Sequence, residues 1–171
     1  MAHISPKGRA SFPALWTAEK VTPDSAAKYG ITLLIPKDTD ISEMEDIVRE
    51  TAKEEWPKLK PGAYDSPITD GDEAKYEGYK GYWVVKFRSK NRPRVVGMNP
   101  KVQLEEEEFQ AGCEARVSYT PNAYDVAGKG VNFYLGNVQK TGVGEPFAAV
   151  TDPEDDFDEI EPPEEDESFL D

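Results

Sequence analysis

The chain has 171 residues, with 34 acids against 20 Lys and Arg, a formal net charge of −14, one His and one Cys. One cysteine excludes an internal disulfide framework and fits a reducing compartment, and one histidine leaves zinc chemistry almost nothing to build on. No apolar run approaches the ~18 residues a membrane span needs, and the N-terminus lacks a signal peptide's apolar region, so a cytoplasmic protein without a membrane partner is expected. The acidity is unevenly placed. Thirteen acids lie between Glu145 and Asp171 and no Lys or Arg follows Lys140, which leaves 21 acids against 20 bases in the remainder. The global charge is therefore no argument against a polyanionic partner.

In chain order, Met1 to Pro6 reads as a frayed end carrying His3, the only histidine. Lys7 to Trp16 (KGRASFPALW) suits a first strand with Lys7, Arg9 and Ser11 on one face. Pro13 restricts it to an edge, a bulge or a break. After a turn-like insert at Thr22 to Ala27, Lys28 to Pro36 (KYGITLLIP) is a stronger strand, with Tyr29, Ile31, Leu33 and Ile35 on one side. Asp40 to Trp56 is the only convincing helix. Ile41, Met44, Ile47, Val48, Ala52 and Trp56 recur at helical spacing, Asp40 with Glu43 resembles a capping box, and Pro57 marks the stop. Lys58 to Glu77, rich in Pro, Gly and Asp, reads as a long loop. It holds Asp70, Asp72 and Glu73, a compact carboxylate cluster that could take a divalent cation, although a solvated turn is the commoner use of such a sequence.

Gly78 to Lys101 (GYKGYWVVKFRSKNRPRVVGMNPK) contains seven Lys or Arg and no acid. From Tyr82 to Lys90 the pattern has the two-residue period of a strand. Trp83, Val85 and Phe87 fall on one face. Tyr82, Val84, Lys86, Arg88 and Lys90 fall on the other and form a basic strip tipped with an aromatic. Cations that neutralise phosphates beside rings that stack on bases are what a single-stranded nucleic-acid platform needs. Lys80, Arg92 and Arg94 extend the strip, and Tyr79 is a stacking candidate beside it. Trp16 is a further stacking candidate, for which packing in the core is the competing use.

Glu114 to Thr120 alternates again, with Ala115, Val117 and Tyr119 inward and Arg116 outward. Asn122 to Gly130 is a hairpin-like connection that presents Tyr124 and Lys129. Val131 to Gln139 is the last strand, with Val131, Phe133 and Leu135 on one face and Tyr134 on the other. Five or so strands and one covering helix fit a mainly β protein built on a five-stranded Greek-key barrel of the OB type, a known platform for oligonucleotides. The usual OB order places the helix between the third and fourth strands. Here it follows only two clear strands, so either the topology is a variant or a strand is hidden.

The expected boundary divides a binding domain at residues 1–150 from a disordered acidic tail at 151–171. Thr151 to Asp171 has 12 acids and three prolines, so self-repulsion and chain entropy keep it from folding alone. Phe157, Ile160, Phe169 and Leu170 are spaced within it as apolar anchors for a partner protein. Such a tail also mimics a polyanion and competes with it for the basic strip.

Several segments in combination resemble one family. They are Gly8 to Pro36, the Asp70–Gly71–Asp72 triplet, Arg92–Pro93, Gly112–Cys113, and AYDVAGKGVNFYLGNVQ at Ala123 to Gln139. Together they are similar to the bacteriophage-encoded single-stranded DNA-binding proteins with an OB fold, over roughly residues 7–147. The resemblance implies binding of single-stranded DNA in phage replication or recombination, in the host cytoplasm, without catalysis or cofactor. It also implies an acidic tail that recruits replication proteins. Two other readings stand beside it. In one, an acidic interaction module or DNA mimic, acids would spread over the folded body. In the other, a metal-dependent nuclease, further carboxylates or a Lys would converge on Asp70, Asp72 and Glu73.

Overall fold

Strands alternating apolar and polar residues can bury one face only by closing on each other or on a second layer. The computed structural model describes residues 2–20, 22–144 and 157–160, and in it the strands close on each other. In chain order the elements are β1 (His3–Ile4), β2 (Gly8–Glu19), β3 (Lys28–Pro36), α1 (Ser42–Glu55), β4 (Ile68–Asp70), β5 (Tyr82–Ser89), β6 (Val95–Val96), β7 (Glu114–Asp125) and β8 (Lys129–Gly142). Antiparallel pairs join β2 to β3, β3 to β5, β7 to β8 and β2 to β7, and a parallel pair joins β5 to β8. The five long strands thus form a ring, β2–β3–β5–β8–β7 and back to β2, which is an OB-type barrel.

The helix falls between the second and third long strands, so the order is a variant. The strands not legible in the sequence are the three short ones. β4 and β6 pair along β5 and β8, and β1 pairs with β7 through His3–Tyr119 and Ile4–Ser118. The expectation of a frayed start is corrected by β1. Ser5 is buried, its N–H donating to Val117 O and its Oγ accepting from Val117 N.

The core follows the predicted parity. Ile31, Leu33 and Ile35 of β3, Val85 and Phe87 of β5, Ala115, Val117 and Tyr119 of β7, and Val131, Phe133 and Leu135 of β8 are buried together. Phe87, Tyr119 and Phe133 meet at its centre, with ring centroids 4.4–5.7 Å apart. Pro13 sits where β2 slips register between Ser11 and Ala14, and Phe12 there has φ +45°. A bulge removes the need for the N–H that proline lacks.

The helix lays Met44, Ile47, Val48 and Ala52 on the barrel, with Ile41 just before them, and packs against β7 and β8. Its start differs from the capping box expected. Asp40 accepts from Ser42 N at 2.9 Å, and Ile41 occupies the cap position without a side-chain cap bond. The Ser42 hydroxyl and N–H hold the Asp40 carboxyl below its usual range.

A second, smaller cluster lies outside the barrel. Leu34 and Val84 point outward from β3 and β5, yet both are buried, because residues 71–82 fold back over them with Tyr79, Ala74 and Tyr82. The Asp70–Gly71–Asp72 triplet clasps this cover. Lys37 Nζ reaches Asp70 at 2.6 Å and Asp72 at 3.1 Å, Asp72 Oδ1 accepts from Gly81 N, and Asp70 Oδ1 accepts from Asp72 N. Gly71 passes so close that a Cβ would lie 2.0 Å from Tyr79 O.

Candidate nucleic-acid interface

The outer face of β3 and β5 is where even-numbered residues meet: Gly30 opposite Arg88, Thr32 opposite Lys86, Leu34 opposite Val84. The cover at 71–82 closes the Leu34–Val84 end and leaves the Gly30–Arg88 end open. There the face continues onto the β7–β8 ribbon, since Arg88 pairs with Tyr134, and Tyr134 with Thr120. The result is a groove of about 770 Å³ lined by Lys28, Arg88, Lys90, Tyr124 and Tyr134, with Asn122 and Asn132 bonded to each other at 3.1 Å on its floor. No carboxylate is among its described lining residues. Its walls are the second and third long strands and the hairpin joining the last two, the face that OB folds use for oligonucleotides.

Glycine at position 30 shapes this site. Arg88 lies flat across it, where a Cβ would meet Arg88 Cδ at 2.5 Å, and Arg88 Nη1 donates to Phe87 O at 2.9 Å. Burial pulls the Arg88 guanidinium below its usual pKa, while the nearby Glu19 carboxylate pushes it back up. Arg88 is thus a half-buried, oriented cation, whereas Lys86 and Lys90 project freely.

Of the predicted set, Arg88, Lys90 and Tyr124 converge in the groove, and Lys86 is exposed beside them on β5. The others are dispersed. Tyr79 is buried, its hydroxyl 2.7 Å from Ser11 Oγ, so it belongs to the cover and not to a stacking surface. Lys80 pairs with Glu77 at 3.0 Å on the same cover. Tyr82 and Arg9 line a separate recess with Lys7 and Pro36 at the opposite end of the strands, and Val84 is buried rather than solvent-facing.

Trp16 packs against Phe109, centroids 6.1 Å apart, at the rim of the core. Lys129 lies 5.7 Å from the centroid of Trp56, beyond the end of α1. Arg116 donates to Gln139 at 2.8 Å, and the Arg94 main chain is tied to β8 through Asn137 and Val138. Both lie away from the groove, and Arg92 is exposed in the segment before β6. Phe157 is described and exposed, while Phe169 and Leu170 lie outside the described residues.

Sequence reasoning missed Lys28, Tyr134, Asn122 and Asn132. Parity could have found two of them: Lys28 shares its face with Gly30 and Thr32, and Tyr134 alternates with core residues on both sides.

Asp70 and Asp72 are committed to Lys37, which holds the Asp70 carboxyl below its usual range. The Gly81 N–H and then Lys37 do the same for Asp72, and Lys37 is itself raised. A lysine does converge on the cluster, then, but as a clasp that neutralises it. No group of three His, Cys, Asp or Glu side chains able to hold a metal ion occurs among the described residues. Nor is any helix among them long and apolar enough to cross a membrane.

Known proteins resemble this chain along nearly its whole length. A family model described as the ssDNA-binding protein of Enterobacter phage Enc34 matches residues 2–169. The solved single-stranded DNA-binding protein from bacteriophage Enc34 in complex with ssDNA is 30% identical, with a TM-score of 0.72, over 85% of this chain and 88% of that one. Protein p50 of Acyrthosiphon pisum secondary endosymbiont phage 1 is 30% identical over 93% of this chain and 94% of its own length. The single-stranded DNA-binding protein gp2.5 of bacteriophage T7 shares the fold, with a TM-score of 0.62 at 20% identity, over 93% of this chain and 98% of that one. An OB-type barrel with this helix placement, matched from end to end by that family model, makes the chain a member of the phage single-stranded DNA-binding protein family of Enc34.

Proposed function

We propose that this protein binds and protects single-stranded DNA without catalysis, during phage DNA replication or recombination in the host cytoplasm. The observation that carries the reading is the groove: three cations, two tyrosines and no described carboxylate on the oligonucleotide face of an OB-type barrel. Lys28, Lys90 and the neighbouring Lys86 neutralise phosphates, the flattened Arg88 guanidinium offers both charge and a planar face, and Tyr124 and Tyr134 stack on bases. Asn122 and Asn132 add donors and acceptors to an otherwise cationic floor.

The relatives' binding of single strands, stated for the Enc34 and T7 proteins, supports the same ligand here. Near neutrality outside Glu145 to Asp171 argues against a DNA mimic, which would carry its acids on the body. In this reading residues 1–150 bind DNA. Residues 151–171 act as an acidic tail that competes with DNA for the groove and, once displaced, recruits replication or recombination proteins through Phe157, Phe169 and Leu170.

The test is a titration of the full chain against single-stranded and duplex DNA of equal length at several salt concentrations. Preference for the single strand is expected, with log K falling against log salt at a slope of about −2 to −4, the value for three to five phosphate contacts. A flat salt response or absence of binding overturns the assignment.

A further inference from the structure

A second aromatic surface lies beside the groove. At the β2 bulge Phe12 takes φ +45°, a left-handed conformation that bulky side chains rarely adopt and that clusters at functional sites. That backbone turns the ring out of the barrel, leaving it 62% exposed. Across from it Tyr76 is 57% exposed, the two ring centroids 5.8 Å apart and tilted by 57°. Tyr79 backs Tyr76 at 5.2 Å and is itself anchored by Ser11, so the pair rests on a fixed support. The rings open onto a mostly apolar hollow of about 640 Å³, lined also by Pro13 and Gly78. Lys75 brings a cation to its edge, and the Glu77 carboxylate at the same edge is paired with Lys80.

The hollow adjoins the groove. Ser11 stands opposite Thr32, and Thr32 opposite Lys86, so Phe12 begins two strand spacings, about 10 Å, from the basic strip. Arg88 lies between the two sites: its side chain lines the groove and lies within electrostatic reach of Tyr79 and Glu19, which line the hollow. We infer that Phe12 and Tyr76 form a base-stacking station for the single strand held in the groove, reached across Arg88. This rests on the reading proposed above. It extends the DNA path from the β7–β8 hairpin over β5 and β3 to the β2 bulge. A nucleobase fits where a buried apolar residue would not, because the rings are open on one side to water and Arg88 lies between them and the cations of the groove, with the Glu19 carboxylate facing Arg88 and Glu77 paired to Lys80.

The experiment uses the full chain and compares Phe12→Gly, Tyr76→Ala and the groove variant Tyr134→Ala on oligonucleotides of graded length. Glycine adopts positive φ without penalty, so Phe12→Gly is expected to keep or raise the thermal midpoint while weakening binding to long strands about five-fold or more, with the salt slope unchanged. Tyr76→Ala is expected to show the same loss, and in both the loss shrinks as the strand is shortened. If Tyr134→Ala weakens binding while Phe12→Gly and Tyr76→Ala match the parent at every length, the station is overturned and the hollow is left to a protein partner. If Tyr134→Ala has no effect but the other two weaken binding, the station stands and the stacking role given to Tyr134 falls; loss of the salt dependence in the parent would instead overturn the groove itself.

Discussion

At the residue scale, cations of one strand have separable roles. Lys86 and Lys90 are free side chains, so replacing both by Ala is expected to leave the thermal midpoint unchanged and to lower the salt slope by about 1.4, two phosphate contacts' worth. Arg88→Ala is expected to lower both affinity and thermal midpoint, because its stem covers Gly30 and its guanidinium is bonded to Phe87 O. Equal midpoints for the Lys86/Lys90 double variant and Arg88→Ala in a thermal melt would contradict this division. Tyr124→Ala and Tyr134→Ala are expected to cost ~1–3 kcal/mol of binding each with the slope unchanged, since a stacked ring releases no counterions. In the core, burial pushes the Tyr119 hydroxyl up to about 12. A phenol harder to deprotonate when folded stabilises the fold below its unfolded pKa of about 10, and that contribution is lost as pH rises towards 12. Urea melts across that window are expected to show falling stability, with a shallower fall for Tyr119→Phe.

At the element scale, the cover at 71–82 decides how much of the outer β3–β5 face is exposed. Its seat depends on Gly71, where an added methyl group would strike the backbone oxygens of Tyr79 and Tyr82, which cannot move independently. Gly71→Ala is therefore expected to destabilise by about 1–3 kcal/mol or more, the range for forced overpacking. Limited proteolysis is expected to show first cleavage within 71–82. An unchanged melt and cleavage pattern would mean that the clasp is not seated as described. The Lys37 clasp itself is part-exposed, so its ion pairs contribute little each. Both its carboxylates have lowered pKa values, so their contribution is present above about pH 4 and fades as the solution is acidified through their folded values.

For the whole molecule, the division of charge is the leading feature. Removing Thr151 to Asp171 takes away 12 negative charges and no positive ones, leaving a chain close to neutral. If the tail competes for the groove, truncation is expected to tighten DNA binding, most at low salt, where screening is weakest. Phe169→Ala with Leu170→Ala is expected to impair capture of replication proteins while leaving DNA affinity alone. Paired binding and pull-down measurements on the parent, the truncation and the double variant check this. A tail that only solubilises moves neither quantity.

Much of the barrel was legible because period two is a local property. Ile31, Leu33 and Ile35, or Val131, Phe133 and Leu135, declare an inward face without knowledge of their partners. The same holds for the helix, whose apolar stripe is written into adjacent turns, and for the acidic tail, which is composition alone. The two-residue strands His3–Ile4 and Val95–Val96 have too few positions to show a period and exist only because β7 and β8 lie beside them. Parity placed Val84, Lys86 and Arg88 on one outward face correctly. It could not show that residues 71–82 would bury Val84 and spare Lys86, because that depends on a loop returning over a sheet. Nor could it gather Lys28, Arg88, Tyr124 and Tyr134 from four strands, or separate Arg9, Arg94 and Arg116 from them. Which face a residue takes is decided by its neighbours in the chain. Which residues share a site is decided by the closure of the barrel, a matter of long-range pairing that local periodicity does not encode.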